Sequence, residues 1–237
     1  MTETTHEWGT APDFVGPRHA LRERLLLRLL LSAQPGPQIL NAGAGQGTFS
    51  ERLVERGFEV TSADASAAAV AVLRSRVRGD VVQAEATALP FADDSFDAVV
   101  LGEVLEHVVD DHAALRESVR VLRPAGVVAA SVPADPHRFG PSDRWAGHVR
   151  RYSRAQLLAV CAAAGLRVER CVAWGFPFSA LYHRHVYERH VDRHGAAQPK
   201  TWQRPGVALL RLLLQIDRLF VGVERGALGY LLLARRS

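Results

Sequence analysis

An α/β fold built on a doubly wound, mostly parallel sheet is what this sequence predicts, and three observations predict it. A short apolar strand, Gln38-Ile39-Leu40-Asn41-Ala42, empties into the glycine-rich turn Gly43-Ala44-Gly45-Gln46-Gly47 and then into a helical pattern marked by Phe49, Leu53 and Val54. A second strand, Glu59–Asp64, ends in a carboxylate about twenty residues later. Strands and helices then alternate along the chain, the pattern that gives a parallel sheet covered by helices. Glycines at alternate positions let backbone pass close to a ligand where a Cβ would clash.

Composition sets the bounds. With 237 residues, 48% of them hydrophobic, the chain can bury one sizeable core, so residues 1–237 are expected to form a single domain. The formal charge is only +4, and Lys200 is the sole lysine among 29 basic residues. An excess so small and so spread out is no footprint for nucleic acid. Cys161 and Cys171 have no C-x-x-C spacing and are expected to be free thiols. The polar stretch of residues 2–13 is not a signal pattern, and no apolar run reaches the length of a membrane span, so a cytoplasmic protein is expected.

In chain order, residues 1–16 read as a flexible segment whose Trp8 and Phe14 are placed to fold over a ligand mouth. Pro17 suits a helix start, leucines 21, 25, 26, 29 and 30 give an apolar stripe, and Pro35-Gly36-Pro37 ends the helix. Residues 80–84 form a third strand and lead into Glu85-Ala86-Thr87-Ala88-Leu89-Pro90-Phe91. Phe96–Gly102 is an almost wholly apolar fourth strand, as a sheet covered on both faces requires. A helix over 111–122, a turn at Arg123-Pro124-Ala125-Gly126, a fifth strand over 127–132, a helix over 154–164 capped by Ser153, and a sixth strand over 166–173 follow. Residues 228–235 read as a terminal seventh strand.

Between strands six and seven lies an insertion, residues 176–226, that is long for a connection. Two helices are expected in it. The first, over 179–194, carries Tyr182, His183, His185, Tyr187 and His190, histidines spaced too irregularly for a metal site. The second, over 207–223, sets Arg211, Gln215 and Arg218 against a wide leucine face that suits core or a dimer seam, then a substrate lid, then a membrane surface.

Strand four runs into Glu103-Val104-Leu105-Glu106-His107-Val108 at the carboxyl edge of the sheet, where ligands of open α/β sheets bind. If Glu103 opens a helical turn, Glu106 and His107 share its face. A further histidine, His148, arrives at the same edge on a loop. Two carboxylates and two imidazoles leave three readings open: a divalent metal, a general base drawn from His107 or His148 without metal, or neither, the acid touching a ligand's edge and the histidine merely packing.

The turn G-x-G-x-G is not the dinucleotide fingerprint, whose last glycine position holds Thr48 here. Together with Asp64, Glu85 before Leu89-Pro90-Phe91, and E-x-x-E-H, it resembles the class I S-adenosylmethionine-dependent methyltransferases over about residues 17–173 and the last strand. That resemblance implies a seven-stranded sheet of order 3-2-1-4-5-7-6 and S-adenosylmethionine as cofactor. It implies cofactor contacts from Ala42, Gly43, Gly45, Gly47, Ala65, Ala86, Gly102 and Glu103, with Asp64 on the ribose and Glu85 on the adenine amino group. Arg18 or Arg22 would reach the cofactor carboxylate. Asn41 stands where the family has an acid, a weaker partner for the cofactor ammonium. Read without the resemblance, Asp64 is also placed to cap the next helix and Glu85 to be a solvated loop acid.

The E-x-x-E-H stretch with a distant histidine is similar to that of ubiquinone-pathway O-methyltransferases and of enzymes that methylate small-RNA ends. It implies Glu103, Glu106, His107 and His148 as ligands of a divalent metal of unspecified identity. The expected activity is methyl transfer to a small molecule, foremost at oxygen. A non-catalytic cofactor-binding partner subunit, and a membrane-surface enzyme acting on a lipid-like substrate, stand as alternatives; peripheral membrane contact and a homodimer through the leucine face are the further partners expected.

Overall fold

The computed structural model describes residues 17–189, 191 and 212–237. Helix α1 (Pro17–Ser32) leads into β1 (Gln38–Ala42), α2 (Thr48–Val54), β2 (Glu59–Asp64), α3 (Ala67–Arg76), β3 (Asp80–Gln83), β4 (Phe96–Gly102) and α4 (Asp111–Val121). Then come β5 (Leu122–Pro133), α5 (Pro141–Ala146), α6 (Arg154–Ala163), β6 (Leu166–Trp174), α7 (Phe178–Tyr182) and β7 (Gly229–Arg236). The seven strands lie in the order 3-2-1-4-5-7-6, as the resemblance implies. All neighbours are parallel except β7, which runs antiparallel to both β5 and β6.

Alternation along the strands divides the core in two, because successive side chains point to opposite faces. Leu40, Val99, Leu101, Val128 and Ala130 pack with Leu115 of α4 and Leu157 and Val160 of α6 on one face. Ile39, Ala98, Val100, Val127 and Ala129 pack with Leu26, Leu27 and Leu30 of α1 and Phe49 and Leu53 of α2 on the other. Helices therefore cover both faces, which is why β4 carries no polar side chain between Ala98 and Leu101.

Three elements differ from expectation. Strand β5 begins at Leu122, opposite Phe96, and slips register before resuming at Val127 opposite Ala98. The expected turn is thus looped out within the strand, with Ala125 at φ 62° and Arg123 bonded to Asp97 at 2.9 Å. The first insertion helix opens as α7, passes through a π-helical turn, His183–Tyr187, and is α-helical again at 188–189 and 191. In the second, residues 212–216 are helical and Asp217–Phe220 is a 3-10 turn. Residues 1–16, 190 and 192–211 lie outside the described residues, including the expected flexible N-terminal segment and His190. No helix among the described residues is long and apolar enough to cross a membrane.

Candidate active site

The glycine turn hangs from the end of β2: the amides of Gly43 and Ala44 both donate to the Ala63 carbonyl, at 2.8 and 3.0 Å. Gly43, Gly45 and Gly47 all have positive φ, at 72°, 54° and 87°. The crowding that demands glycine at two of them comes from the protein itself. A Cβ on Gly43 would lie 2.4 Å from Val104 Cγ2, and one on Gly47 2.4 Å from Val77 Cγ2. The turn is thus clamped between the residue after Glu103 and the end of α3.

Asp64 closes the turn from beneath. Its Oδ2 accepts from Gly45 N at 2.8 Å and its Oδ1 from Ser66 N at 2.9 Å, while Ser66, not Asp64, caps α3. Each oxygen keeps acceptor capacity for a ligand hydroxyl. Glu85 and Ala65 are exposed at the next loop, and Ala86 is half-buried. Asn41 turns inward: its amide donates to Ser50 Oγ at 2.9 Å, which bonds Ser62 Oγ at 2.8 Å, all three sealed from solvent.

Helix α1 lies across this cradle and is tied to it by a residue that sequence reasoning passed over. Glu23, buried, accepts from His19 at 2.8 Å, from Thr48 and from Arg52 at 2.9 Å. Burial works to raise its carboxyl, but the His19 and Thr48 bonds prevail and hold it down at about 2. The only legible signal was an acid inside an otherwise apolar helical stripe. One turn earlier, the Arg18 guanidinium stacks on Tyr187, 4.6 Å from its ring centre, and 5.8 Å from that of Tyr182. Arg22 reaches the end of β4 and pairs with Glu103 at 3.4 Å.

At the reacting corner the expected helical turn is absent. Glu103 sits at φ 60°, a left-handed conformation rare outside glycine, and the chain folds back so that His107 N donates to Val104 O at 2.9 Å. Glu103 therefore swings to Arg22, while Glu106, His107 and His148 converge with ligating atoms all within 4.8 Å of one another. Of the expected metal set, three residues come together and Glu103 stays outside the trio. The two imidazoles meet edge to face, 4.6 Å between ring centres.

Two loops build the trio and lock onto each other. Val149 N donates to Glu106 O at 2.8 Å, and the Tyr152 hydroxyl bonds Leu105 O and Asp111. Arg150 ties Asp111 at 2.8 Å and the Val109 carbonyl at 2.6 Å. Helix α5, which sequence reasoning left as loop despite Gly140-Pro141 at its start, supplies Asp143 to His148 at 2.7 Å.

Electrostatics separate the two carboxylates. Glu106 is buried, neither oxygen has a hydrogen-bond partner, and burial together with the Glu103 charge pushes its carboxyl well above the usual range. Burial would raise Glu103 too, but the Arg22 charge outweighs it and holds it below. Burial and the neighbouring His148 push His107 down to about 4, so its imidazole is neutral near pH 7. Among the described residues, Arg22 Nε and both Glu106 oxygens are buried here without a hydrogen-bond partner, while the Ser131 hydroxyl helps hold the Glu103 carboxyl down. Buried polar atoms are almost always paired, so such a cluster is a candidate ligand site.

Residues 40–130 match the family described as methyltransferase domain. A Renibacterium salmoninarum protein named demethylmenaquinone methyltransferase is 39% identical over 54% of this chain and 54% of its own length. The chain thus spans about half the length of the first curated relatives it matches. A Mycolicibacterium smegmatis protein named "Probable S-adenosylmethionine-dependent methyltransferase" is 31% identical over 75% of this chain and 72% of its own. The solved structure of an S-adenosylmethionine-dependent methyltransferase from Mesorhizobium loti superimposes with a TM-score of 0.63 over 92% of this chain and 100% of that one, at 18% identity, a likeness of fold alone. With a curated relative matched over most of both chains and the sheet order observed here, this chain belongs to the S-adenosylmethionine-dependent methyltransferases.

Proposed function

We propose that this chain moves the methyl group of S-adenosylmethionine to an oxygen of a small organic acceptor, with a divalent metal held by Glu106, His107 and His148. The observation that carries the reading is the cluster of orphaned buried polar atoms around Glu106, a fully enclosed carboxylate with nothing bonded to either oxygen. An isolated carboxylate is left so only at considerable free-energy cost, which a cation offsets. Mixed carboxylate and imidazole donors suit Mn, Fe, Zn or Mg. The relatives' printed name, demethylmenaquinone methyltransferase, supports a small-molecule acceptor.

The chain's own residues divide the work. Gly43, Gly45, Gly47 and Asp64 hold the nucleoside end of the cofactor, with Ala42, Ala65, Glu85, Ala86 and Gly102 along its edge. Arg18, Arg22 and Glu103 face its amino-acid end, and Glu103, already spent on Arg22, serves there rather than as a metal ligand. Asn41 supports the turn through Ser50. When bound, the cofactor supplies an electrophilic methyl group and the metal supplies Lewis acidity that lowers the pKa of an acceptor hydroxyl. Burial keeps His107 neutral near pH 7, and Asp143 orients the His148 ring.

A second reading rests on one contact: Asp143 orients His148 as a carboxylate orients a general base, with no metal needed. Labelled S-adenosylmethionine and a panel of catechols and vicinal diols separate the two. The metal reading predicts transfer that stops in EDTA and returns with added divalent ion. Turnover unchanged in chelator would leave the general-base reading standing alone.

A further inference from the structure

Asp143 is the most completely enclosed charge beside the trio, and neither reading above asks it to touch a substrate. It is fully buried, and both its oxygens are taken. Oδ1 accepts from His148 Nδ1 at 2.7 Å and from Arg151 Nε at 2.8 Å. Oδ2 accepts from the same Arg151 Nε at 2.8 Å and from Gly140 N at 2.8 Å. Arg151, itself buried, bonds the Ala134 carbonyl just past the end of β5, and His148 N donates to Asp143 O at 2.9 Å. A continuous line of bonds therefore runs from the sheet edge through Arg151 and Asp143 to the His148 ring.

An acceptor-only group against Nδ1 dictates which nitrogen of a neutral imidazole carries the proton. We propose that Asp143 is a positioning residue, which through Arg151 fixes His148 as the Nδ1–H tautomer and leaves the Nε2 lone pair for the trio with Glu106 and His107. The partner of a ligating histidine's second nitrogen sets both ring orientation and tautomer, and its loss typically lowers metal affinity about 10- to 100-fold. This inference uses the metal reading for its affinity consequence alone; the tautomer follows from the fold with or without an ion. The competing explanation is that Asp143 merely caps α5 and pairs with Arg151, His148 being incidental.

Long-range proton–nitrogen NMR on the whole 237-residue chain, free of metal, reads the tautomer directly. The proposal expects a protonated Nδ1 and a bare Nε2 on His148, with that bias lost in Asp143→Asn. Cobalt(II) titration followed by visible absorption should show affinity reduced about 10- to 100-fold in Asp143→Asn. Ser142→Ala, which removes the hydroxyl bonded to Glu188 at the start of α5, should leave tautomer and affinity unchanged. A His148 protonated on Nε2 in the unaltered protein would overturn the proposal. So would equal loss of affinity in Ser142→Ala, which would mean general loosening of the loop. If Asp143→Asn does not fold, the tautomer in the unaltered chain still decides. Should the unaltered chain bind no cobalt yet show the expected tautomer, Asp143 keeps its positioning role and the metal reading falls.

Discussion

The glycine turn and the reacting corner lie at the same sheet edge, yet they are finished to different degrees. In the turn, the amides of Gly43, Ala44, Gly45 and Gly47 and both Asp64 oxygens have protein partners, and the Cβ space at Gly43 and Gly47 is filled by Val104 and Val77. At the corner, Glu106 is enclosed with neither carboxyl oxygen bonded, and Glu103 is held in a left-handed conformation. The first region is stable as it stands and offers its remaining lone pairs. The second holds a fixed geometry against an unfavourable local free energy, as preorganised sites do.

The largest effect that sharpens this contrast comes from Glu106→Leu. Removing an unpaired buried carboxyl in favour of an apolar side chain of similar volume is neutral to stabilising by about 1–3 kcal/mol. For a chain of this size that raises Tm by roughly 2–4 °C per kcal/mol. On the metal reading, methyl transfer should fall by at least about 100-fold at the same time, since the proposed ligand and its charge are both gone. Calorimetry and turnover on one preparation read both, and a lower Tm would show that Glu106 is a structural residue.

An effect of opposite sign on stability, with no direct role in the chemistry, is expected where the cradle is finished. Glu23, buried and bonded by His19, Thr48 and Arg52, keeps its carboxyl near 2 against 4.5 for an ordinary glutamate. A depressed folded pKa means stability fully present above about pH 4.5 and lost as pH falls toward 2, on the order of 3 kcal/mol in all. Glu23→Gln should therefore be less stable than the unaltered chain at pH 7, with the gap narrowing between pH 4.5 and 2. A gap independent of pH in urea melts would contradict the ion network.

The finished region is also the more legible one. Strand patterns, the G-x-G-x-G spacing and Asp64 are local signals, each carried by adjacent residues, and the sheet order followed from a resemblance that β7 then bore out. The corner is assembled from β4, α1 and the α5–α6 loop, so its partners are distant in sequence. The backbone of Glu103 could not be read because a left-handed glutamate breaks the helical spacing that E-x-x-E-H suggests. Asp143 went unread because α5 is one short turn, and Arg22 was one of two arginines equally placed on α1. The inward bond from Asn41 to Ser50 was equally illegible, because it joins two elements nine residues apart.

The most direct test is calorimetric titration of manganese(II) into the metal-free protein, beside Glu106→Gln. One equivalent bound by the unaltered chain, with affinity at least about 100-fold lower in the variant, is the result expected of a site left incomplete for a cation. Heat of binding that is absent from the unaltered chain, or equal in the two proteins, would contradict it.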